Sequence, residues 1–552
     1  MIRRRLQAVL VVLLSLAMLA GRARAQAKDA ADSDPVLQAM KAELDRSRTA
    51  LKLDQVAAPY YIEYRVFDMD NYEAEAAFGA LRISDRGRLR ILRVVVRIGD
   101  YKQDSYYRQG LGGFAVIPLE ADLIAIRHQL WEATDQAYKA AAQAFTAKQA
   151  QLKQFAAPEE PVDDFAHAQP VQSIGPLARL EVDPKPWLAM LQDASAVYQD
   201  NPLLQSSSAM LKFQAINRYY VNSEGTVVRD GYNTFEMSMD LSTQASDGMR
   251  LERSHSYDVD NMKALPSAAD FRAQAVKLAA ALKLLREAPL ADEEYRGPVL
   301  FSADAAVTVF ADFVGENILG GKPELGKNAR TVGQFAASYK TRVLPDFLSV
   351  VDDPTLASLD GQPLLGHYQI DDEGVPAARV SVIENGKLIN FLLGRQPIRD
   401  FPSSNGHGRA RVPGNPPGPS LGNLIVSASE SSSPADLKKK LIELCRQREL
   451  PYGYYVETFG PQHTPRLLYK IWVKDGHEEL VRGGAFGDLD VRSLRNDVVA
   501  AGNDIFVENL PLNIPHSIVS PSILFDELEV KRLNANQDKL PEYPAPPLVS
   551  GK

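Results

Sequence analysis

The sequence changes character at residues 291–297, and this change divides the chain into two parts of different construction. Before it, helical patterns alternate with long strand patterns; after it, short strands follow one another between turns that contain Gly and Pro. A chain of 552 residues is also too long for one small core. The pattern predicts an α+β protein, with an N-terminal α/β domain over 26–290 and a β-rich C-terminal domain over 297–552.

The first elements of the N-terminal domain have clear signals. Asp34 and Pro35 are typical of the N-cap and first turn of a helix. Apolar and polar residues then alternate around Tyr60–Val66, and two further segments near 81–83 and 92–98 alternate in the same way. One helix followed by several strands predicts a sheet that is covered on one side.

A long helix is predicted inside this domain, at about 119–157. Five apolar residues at intervals of seven form one stripe along it: Ile124, Trp131, Tyr138, Phe145 and Leu152. The stripe fits a coiled-coil or partner-binding surface, and it also fits a helix that packs on its own domain. The helix is predicted to be an insertion in the domain.

In the C-terminal domain the clearest element is a hairpin. Residues 380–384 and 387–393 alternate on either side of Asn385-Gly386, which is typical of a type I′ turn. Further strands are predicted at 454–456, 467–473, 505–507 and 528–530. The single cysteine, Cys445, lies on the apolar side of a predicted helix and is expected to be a buried free thiol.

Residues 1–25 have the order of a secretory signal peptide. Arg3-Arg4-Arg5 precede an apolar run of about 15 residues, and Ala23-Arg24-Ala25 forms a cleavage site before Gln26. This run is shorter than the roughly 20 residues that span a bilayer. We therefore expect a periplasmic or secreted protein without stable membrane insertion. The net charge of -8 makes nucleic acid an unsuitable partner.

The sequence offers no local metal site, since no two of its eight histidines are three to five residues apart. The motifs of serine hydrolases and dinucleotide-binding proteins are missing as well. The remaining candidate is the loop 403–409, where His407 and Arg409 could meet the carboxylate or carbonyl groups of a peptide. The same loop also fits an ordered connection between strands.

Several short motifs together resemble the TldD/PmbA family, also described as modulators of DNA gyrase. They follow the order of that family over some 300 residues: 222–225, 297–299 with the helix up to 314–315, 351–354, 371–376, 383–388, 403–408 and 501–504. Each motif is weak alone, and the region before Tyr220 matches only in outline.

The resemblance implies an α/β domain joined to a barrel-like β-rich domain, and a zinc metallopeptidase that acts on unstructured peptides. The His-Glu-x-x-x-His helix of such enzymes corresponds to Ala311, Asp312 and Glu316. A third ligand, a cysteine, is expected between 508 and 521, where His516 is the one soft donor. Alanine offers no donor to zinc, so the zinc motif is degenerate and no metal ligands are expected in this chain.

The sequence therefore predicts a zinc-free pseudoenzyme without a cofactor, a non-catalytic subunit of a peptidase complex. Its expected partners are a zinc-bearing TldD-like homologue, as a heterodimer, and a peptide substrate. One alternative is a metallopeptidase active on its own, in which Asp312 and Glu316 hold a metal with a distant histidine. The other is a peptide-binding scaffold protein.

Overall fold

The computed structural model describes residues 33–540, without residue 55 and the segments 107–111, 156–159, 411–413, 461–462, 512–513 and 534–538. The predicted signal peptide, residues 1–25, lies outside the described residues. The fold is α+β with an N-terminal and a C-terminal domain, as expected. Within the described part of the chain, no helix combines the length and the apolarity needed to cross a membrane.

The N-terminal domain is built on one seven-stranded sheet with four helices. The helices are α1 (Pro35–Ala50), α2 (Leu123–Leu152), α3 (Pro184–Ser195) and α4 (Ala268–Glu287). The strands are β1 (Tyr61–Ala77), β2 (Ala80–Arg97), β3 (Gly113–Val116), β4 (Gln172–Ile174), β5 (Ser206–Asn222), β6 (Val227–Gln244) and β7 (Arg250–Val259). Their order is β3-β2-β1-β5-β6-β4, with β7 also paired to β6. Only β4 runs parallel to its neighbour.

All four helices pack on one face of this sheet. Helices α1 and α2 cover Tyr64 and Leu92, and α3 and α4 cover Phe213 and Met237. The Asp34 side chain caps α1 by accepting from the backbone N–H groups of its first turn, as predicted. The opposite face carries charged residues that are nevertheless buried, because it is turned towards the C-terminal domain.

The structure corrects two expectations in this domain. The segments near 81–83 and 92–98 are one continuous strand, β2. The apolar stripe on α2 is buried only in part, since the side chains of Ile124 and Trp131 are 80% and 47% exposed whereas Tyr138 is 0% exposed. The buried face instead follows the 3.6-residue period and is rich in small side chains, which allow a close approach to the sheet: Ile126, Leu130, Ala133, Ala137, Tyr138, Ala141 and Ala144. Helix α2 thus packs on its own domain.

The C-terminal domain contains two larger sheets and three helices. Its strands are β8 (Glu294–Phe301), β9 (Leu348–Asp352), β10 (Ser358–Leu359), β11 (Gln362–Pro363), β12 (Val380–Glu384), β13 (Lys387–Leu388), β14 (Gly408–Arg409), β15 (Gly418–Pro419), β16 (Asn423–Ala428), β17 (Tyr452–Gly460), β18 (Thr464–Trp472), β19 (Glu478–Val481), β20 (Gly484–Phe486), β21 (Val498–Ala501), β22 (Phe506–Leu510), β23 (His516–Ser520) and β24 (Ile523–Arg532). The helices are α5 (Ala303–Phe313), α6 (Pro434–Gln447) and α7 (Val491–Asn496).

The two sheets are open, and helix α5 lies between them. One has the order β13-β12-β9-β16-β23-β22, and the other β19-β18-β17-β8-β24-β20 with β21 on β24. Helix α5 contacts β17 of the second sheet and β22 and β23 of the first. Phe310, Val299 and Leu424 meet in the resulting core. Cys445 is a buried free thiol, as predicted, and burial raises its pKa to about 11.

The predicted type I′ turn is present, since both Asn385 and Gly386 have positive φ angles, 46° and 75°. A Cβ atom at position 386 would overlap the carbonyl oxygens of Leu344 and Pro345. We expect Gly386→Ala to lower the free energy of unfolding by about 2 kcal/mol.

Gly361→Ala is the matched control for this prediction, because Gly361 has a φ of 80° but open space around its Cα. It isolates the backbone strain, and we expect a loss of about 1 kcal/mol. Urea unfolding of the two variants measures the difference. Equal losses would contradict the predicted overlap at position 386.

Candidate functional site

The degenerate motif lies where helix α5 ends. Ser302 caps the helix by accepting from the Ala305 N–H at 3.0 Å. The regular helix stops at Phe313, and a single 3₁₀ turn, Gly315–Asn317, follows it. Position 311 therefore lies in the α-helix and position 316 in the 3₁₀ turn that follows it.

The three motif residues have different environments. The Ala311 methyl group packs against the C-terminal core, whereas Asp312 and Glu316 are exposed. Asp312 Oδ2 lies 3.1 Å from Nε2 of His463, in the connection between β17 and β18. The His463 ring also lies 4.8 Å from the ring of Phe313. Asp312 is therefore within hydrogen-bond distance of a histidine that is distant in sequence.

His516 lies within electrostatic reach of Glu316. Its Nδ1 donates a hydrogen bond to the carbonyl oxygen of Ile514 at 2.8 Å, which places a proton on Nδ1. Burial lowers the pKa of His516, while the carboxylates of Asp352 and Glu316 act in the opposite direction. The residue at position 316 and His516 are thus within electrostatic reach of each other.

Carboxylates form an acidic cluster beside α5, defined here as Asp258, Asp304, Asp312 and Glu508. Burial first, and then the charges of Asp304, Asp258 and Asp312, raise the pKa of Glu508 to about 7. Burial likewise raises the pKa of Asp258 to about 7 and shifts the pKa of Asp304 upward. Asp258 lies on β7, so both domains contribute to the cluster.

The residues present do not fit a catalytic zinc ion. Such an ion takes about three protein ligands and keeps one position for water. Ala311 supplies no ligand, and Asp312 is hydrogen-bonded to His463. Within the described ranges, no three His, Cys, Asp or Glu side chains are grouped so that they could hold a metal ion. The groups at this place can donate and accept hydrogen bonds and attract positive charge.

The loop 403–409 is an internal part of the domain. His407 has no exposed surface; its Nε2 lies 3.1 Å from Asp352 Oδ1 and its Nδ1 3.0 Å from the Asn405 carbonyl oxygen. Arg409 is 8% exposed, and its guanidinium lies 4.2 Å from the ring centre of Tyr368. A peptide contact by either residue stays a prediction, and their burial argues against it.

Sequence reasoning missed His463, Asp258 and Glu508. His463 is 151 residues from Asp312, and only the β17–β18 hairpin brings it to the end of α5. Asp258 reaches the same place because β7 of the N-terminal sheet lies beside β22. No local spacing connects these residues, so the sequence alone contains no signal for their meeting.

Parts of this chain resemble known proteins in sequence. Residues 294–532 match the family described as PmbA/TldA metallopeptidase C-terminal domain. The C-terminal domain of this chain therefore belongs to the TldD/PmbA family. A curated metalloprotease of Archaeoglobus fulgidus is 26% identical over 196 residues. That match covers 33% of this chain and 42% of the relative, so it spans less than half of the relative's length.

Solved structures share the fold of this chain. A protein of Thermotoga maritima described as a modulator of a DNA gyrase has a TM-score of 0.58 and 15% identity, over 89% of this chain and 99% of its own. TldE of Thermococcus kodakarensis has a TM-score of 0.57 and 13% identity, over 89% and 99%. A modulator of DNA gyrase from Bacteroides thetaiotaomicron is similar, with a TM-score of 0.57 and 13% identity over 90% and 98%.

Proposed function

We propose that this TldD/PmbA protein is an exported, zinc-free and non-catalytic subunit that works beside a zinc-bearing homologue on unstructured peptides. The observation that carries the proposal is Ala311, whose methyl group packs into the core where the family motif has its first histidine. Without a ligand there, no metal-bound water of lowered pKa is available as a nucleophile.

The second residue of the motif supports the same proposal. The carboxylate of Asp312, in the place of the motif's glutamate, is paired with His463 rather than left open towards a substrate. The Asp312 and His463 side chains are 47% and 38% exposed, so this pair is a surface pair and contributes little stability. At the position of the motif's glutamate, Asp312 thus makes a polar surface contact with His463.

Among the described residues, part of the outer edge of β2 has no neighbouring strand and offers a place for a peptide. Strand β3 pairs with residues 91–94 of β2, and residues 80–89 of β2 are exposed. Leu81, Ile83 and Leu89 on this edge are 42%, 43% and 38% exposed. An extended peptide that adds a strand there gains main-chain hydrogen bonds that are independent of its sequence, which suits a broad range of unstructured peptides.

The A. fulgidus metalloprotease supports a role in peptidase chemistry, and pairing with a homologue supplies the missing zinc. Stable interfaces bury on the order of 1,200–2,000 Å², which a chain of this size can provide. The second candidate is a metallopeptidase that is active alone through an atypical site. One observation favours it, namely that a distant histidine does reach Asp312.

The experiment is purification from the periplasmic fraction, with and without the co-expressed homologue. We expect a mature N-terminus at Gln26, no stoichiometric zinc, no peptidase activity alone and a stable complex with the homologue. About one zinc per chain, lost together with activity in Asp312→Ala, would establish the second candidate instead. A strict monomer that leaves the homologue's activity unchanged would refute the subunit role.

Restoring the motif tests the same proposal in the opposite direction. We expect the triple variant Ala311→His, Asp312→Glu, Glu316→His to bind about one zinc per chain, because it regains two imidazole ligands close to His516. Ala311→His alone is the matched control and should stay zinc-free, since one new imidazole does not complete a site. Elemental analysis of the dialysed proteins measures the zinc content per chain. An equal zinc content in the wild-type protein and the triple variant would contradict the prediction.

A further inference from the structure

Arginines gather on the helix-free face of the N-terminal sheet, where the C-terminal domain covers it. In the strand register Arg65 of β1 lies directly opposite Arg93 of β2 and Tyr220 of β5. Arg65 is 0% exposed and Arg93 is 7% exposed. The C-terminal domain adds Arg409 from β14, which is 8% exposed. Three guanidinium groups are therefore buried in one interface.

Two of these arginines have N–H groups without an acceptor among the described residues. Arg65 donates from Nη2 to Glu63 Oε1 at 2.7 Å, but its Nε and Nη1 have no partner. The Nε and Nη1 atoms of Arg409 also have none, and Nε lies 3.6 Å from Asp372 Oδ2, beyond hydrogen-bond distance. Buried donors without an acceptor cost free energy, so such groups point to a missing partner.

Both arginines lie close to Asp372, which connects the two sets of donors. Burial lowers the pKa of Arg65, while the carboxylates of Glu63 and Asp372 raise it above its usual value. Arg409 in turn is one of the groups that lower the pKa of Asp372, against the effect of burial. The free donors of Arg65 and Arg409 therefore belong to one polar region around Asp372.

Three carboxylates of this region already accept hydrogen bonds from other groups. Asp372 accepts from Arg218 Nη1 at 2.6 Å through Oδ1 and from the Ala410 N–H at 2.7 Å through Oδ2. Glu63 accepts from Arg65 and from the hydroxyl groups of two tyrosines. Asp371 uses its oxygens on three backbone N–H groups, those of Glu373, Val375 and Gly408. Each of these carboxylates would have to give up one of these hydrogen bonds to accept from the unpaired N–H groups of Arg65 or Arg409.

We propose that this region is a binding site for a small oxyanion, a phosphate or a carboxylate, held by Arg65 and Arg409 with Arg93 at its border. A planar guanidinium group matches the oxygens of both ligand classes, and such charge-assisted hydrogen bonds are strong. The oxyanion would bridge the two domains, since Arg65 belongs to one and Arg409 to the other. This inference goes beyond the proposed function and does not depend on it.

Thermal unfolding of the isolated full chain tests the site. At constant ionic strength, replacing chloride by inorganic phosphate should raise Tm in a saturable way, on the order of 3 °C at high occupancy. Arg409→Lys keeps the charge but loses the planar fork, and Arg65→Met removes the free donors. Both variants should lose most of the shift. If Arg65→Met does not fold, the Tm shift of Arg409→Lys alone still tests the proposed site.

Arg448→Met is the matched control. Arg448 is a partly exposed arginine that pairs with Asp526 and Glu527, and its removal should leave the phosphate shift intact. A second arm separates the sources of the oxyanion by comparing a short peptide with a free C-terminus and its C-terminal amide. A shift with phosphate alone identifies an inorganic ion, and a shift with the free peptide but not the amide identifies a peptide terminus.

The proposal is overturned if neither phosphate nor the free peptide shifts Tm, or if the shift is as large in Arg409→Lys as in the wild-type protein. An equal response to the free peptide and its amide, without a response to phosphate, overturns it too. The homologue and zinc are absent from all arms, so these outcomes are independent of whether the protein works as a zinc-free subunit.

Discussion

Replacement of Arg395 by methionine is expected to lower the free energy of unfolding by about 3 to 5 kcal/mol, the cost of breaking a buried ion pair from one side. Arg395 has no exposed surface and connects the two domains. Its Nη1 and Nη2 each lie 2.7 Å from one oxygen of Glu224, and Nε and Nη2 donate to the Ala166 carbonyl oxygen. The guanidinium also lies 4.0 Å from the ring centre of Phe165.

Methionine keeps much of the volume of Arg395 but leaves the Glu224 carboxylate without its cation and the Ala166 carbonyl without its donors. Urea unfolding followed by circular dichroism measures the loss. Arg448→Met is the control, since the pairs of Arg448 with Asp526 and Glu527 are partly exposed and worth at most about 1 kcal/mol. Similar midpoints for Arg395→Met and the wild-type protein would refute a structural role for the pair.

Two of the seven motifs that carried the family resemblance supply contacts between the domains. Glu224, from the motif 222–225, binds Arg395. Asp372, from the motif 371–376, binds Arg218 of the N-terminal sheet. In the motifs 351–354 and 403–408, Asp352 and His407 bind each other within the C-terminal domain. Loss of one partner from such a buried pair is costly, which gives these motif residues a structural role.

What the sequence could not predict depends on distant contacts. The sheet, its cover of helices and the Asn385-Gly386 turn follow from local periodicity and turn chemistry, and these predictions are confirmed. The predicted stripe of α2 is only partly buried, because the inward face follows the helical period and places Ala133, Ala137 and Ala141 beside Tyr138. The peptide contact of His407 stays a prediction, and the sequence held no local signal for the 3.1 Å contact of its Nε2 with Asp352, 55 residues away.

The acidic cluster makes stability depend on pH in a predictable direction. Burial is the main cause that raises the pKa of both Glu508 and Asp258 to about 7, well above their usual values near 4. Between pH 4 and pH 7 the native protein keeps protons on these groups that the unfolded chain has already released. The free energy of unfolding therefore falls as pH rises through this window and is constant with respect to these groups above it.

We expect the double variant Glu508→Gln, Asp258→Asn to remove this dependence. Between pH 5 and pH 8 the wild-type protein should lose about 3 kcal/mol more stability than the double variant, after allowance for partial exposure of both side chains. Glu508→Gln alone should remove about half of the difference. Urea unfolding at the two pH values measures it, and the exposed Glu430→Gln is the control that should follow the wild-type protein. Parallel losses in the wild-type protein and the double variant would show that Asp258 and Glu508 are ionised in the folded protein at pH 5, and that the cluster already has a positively charged partner.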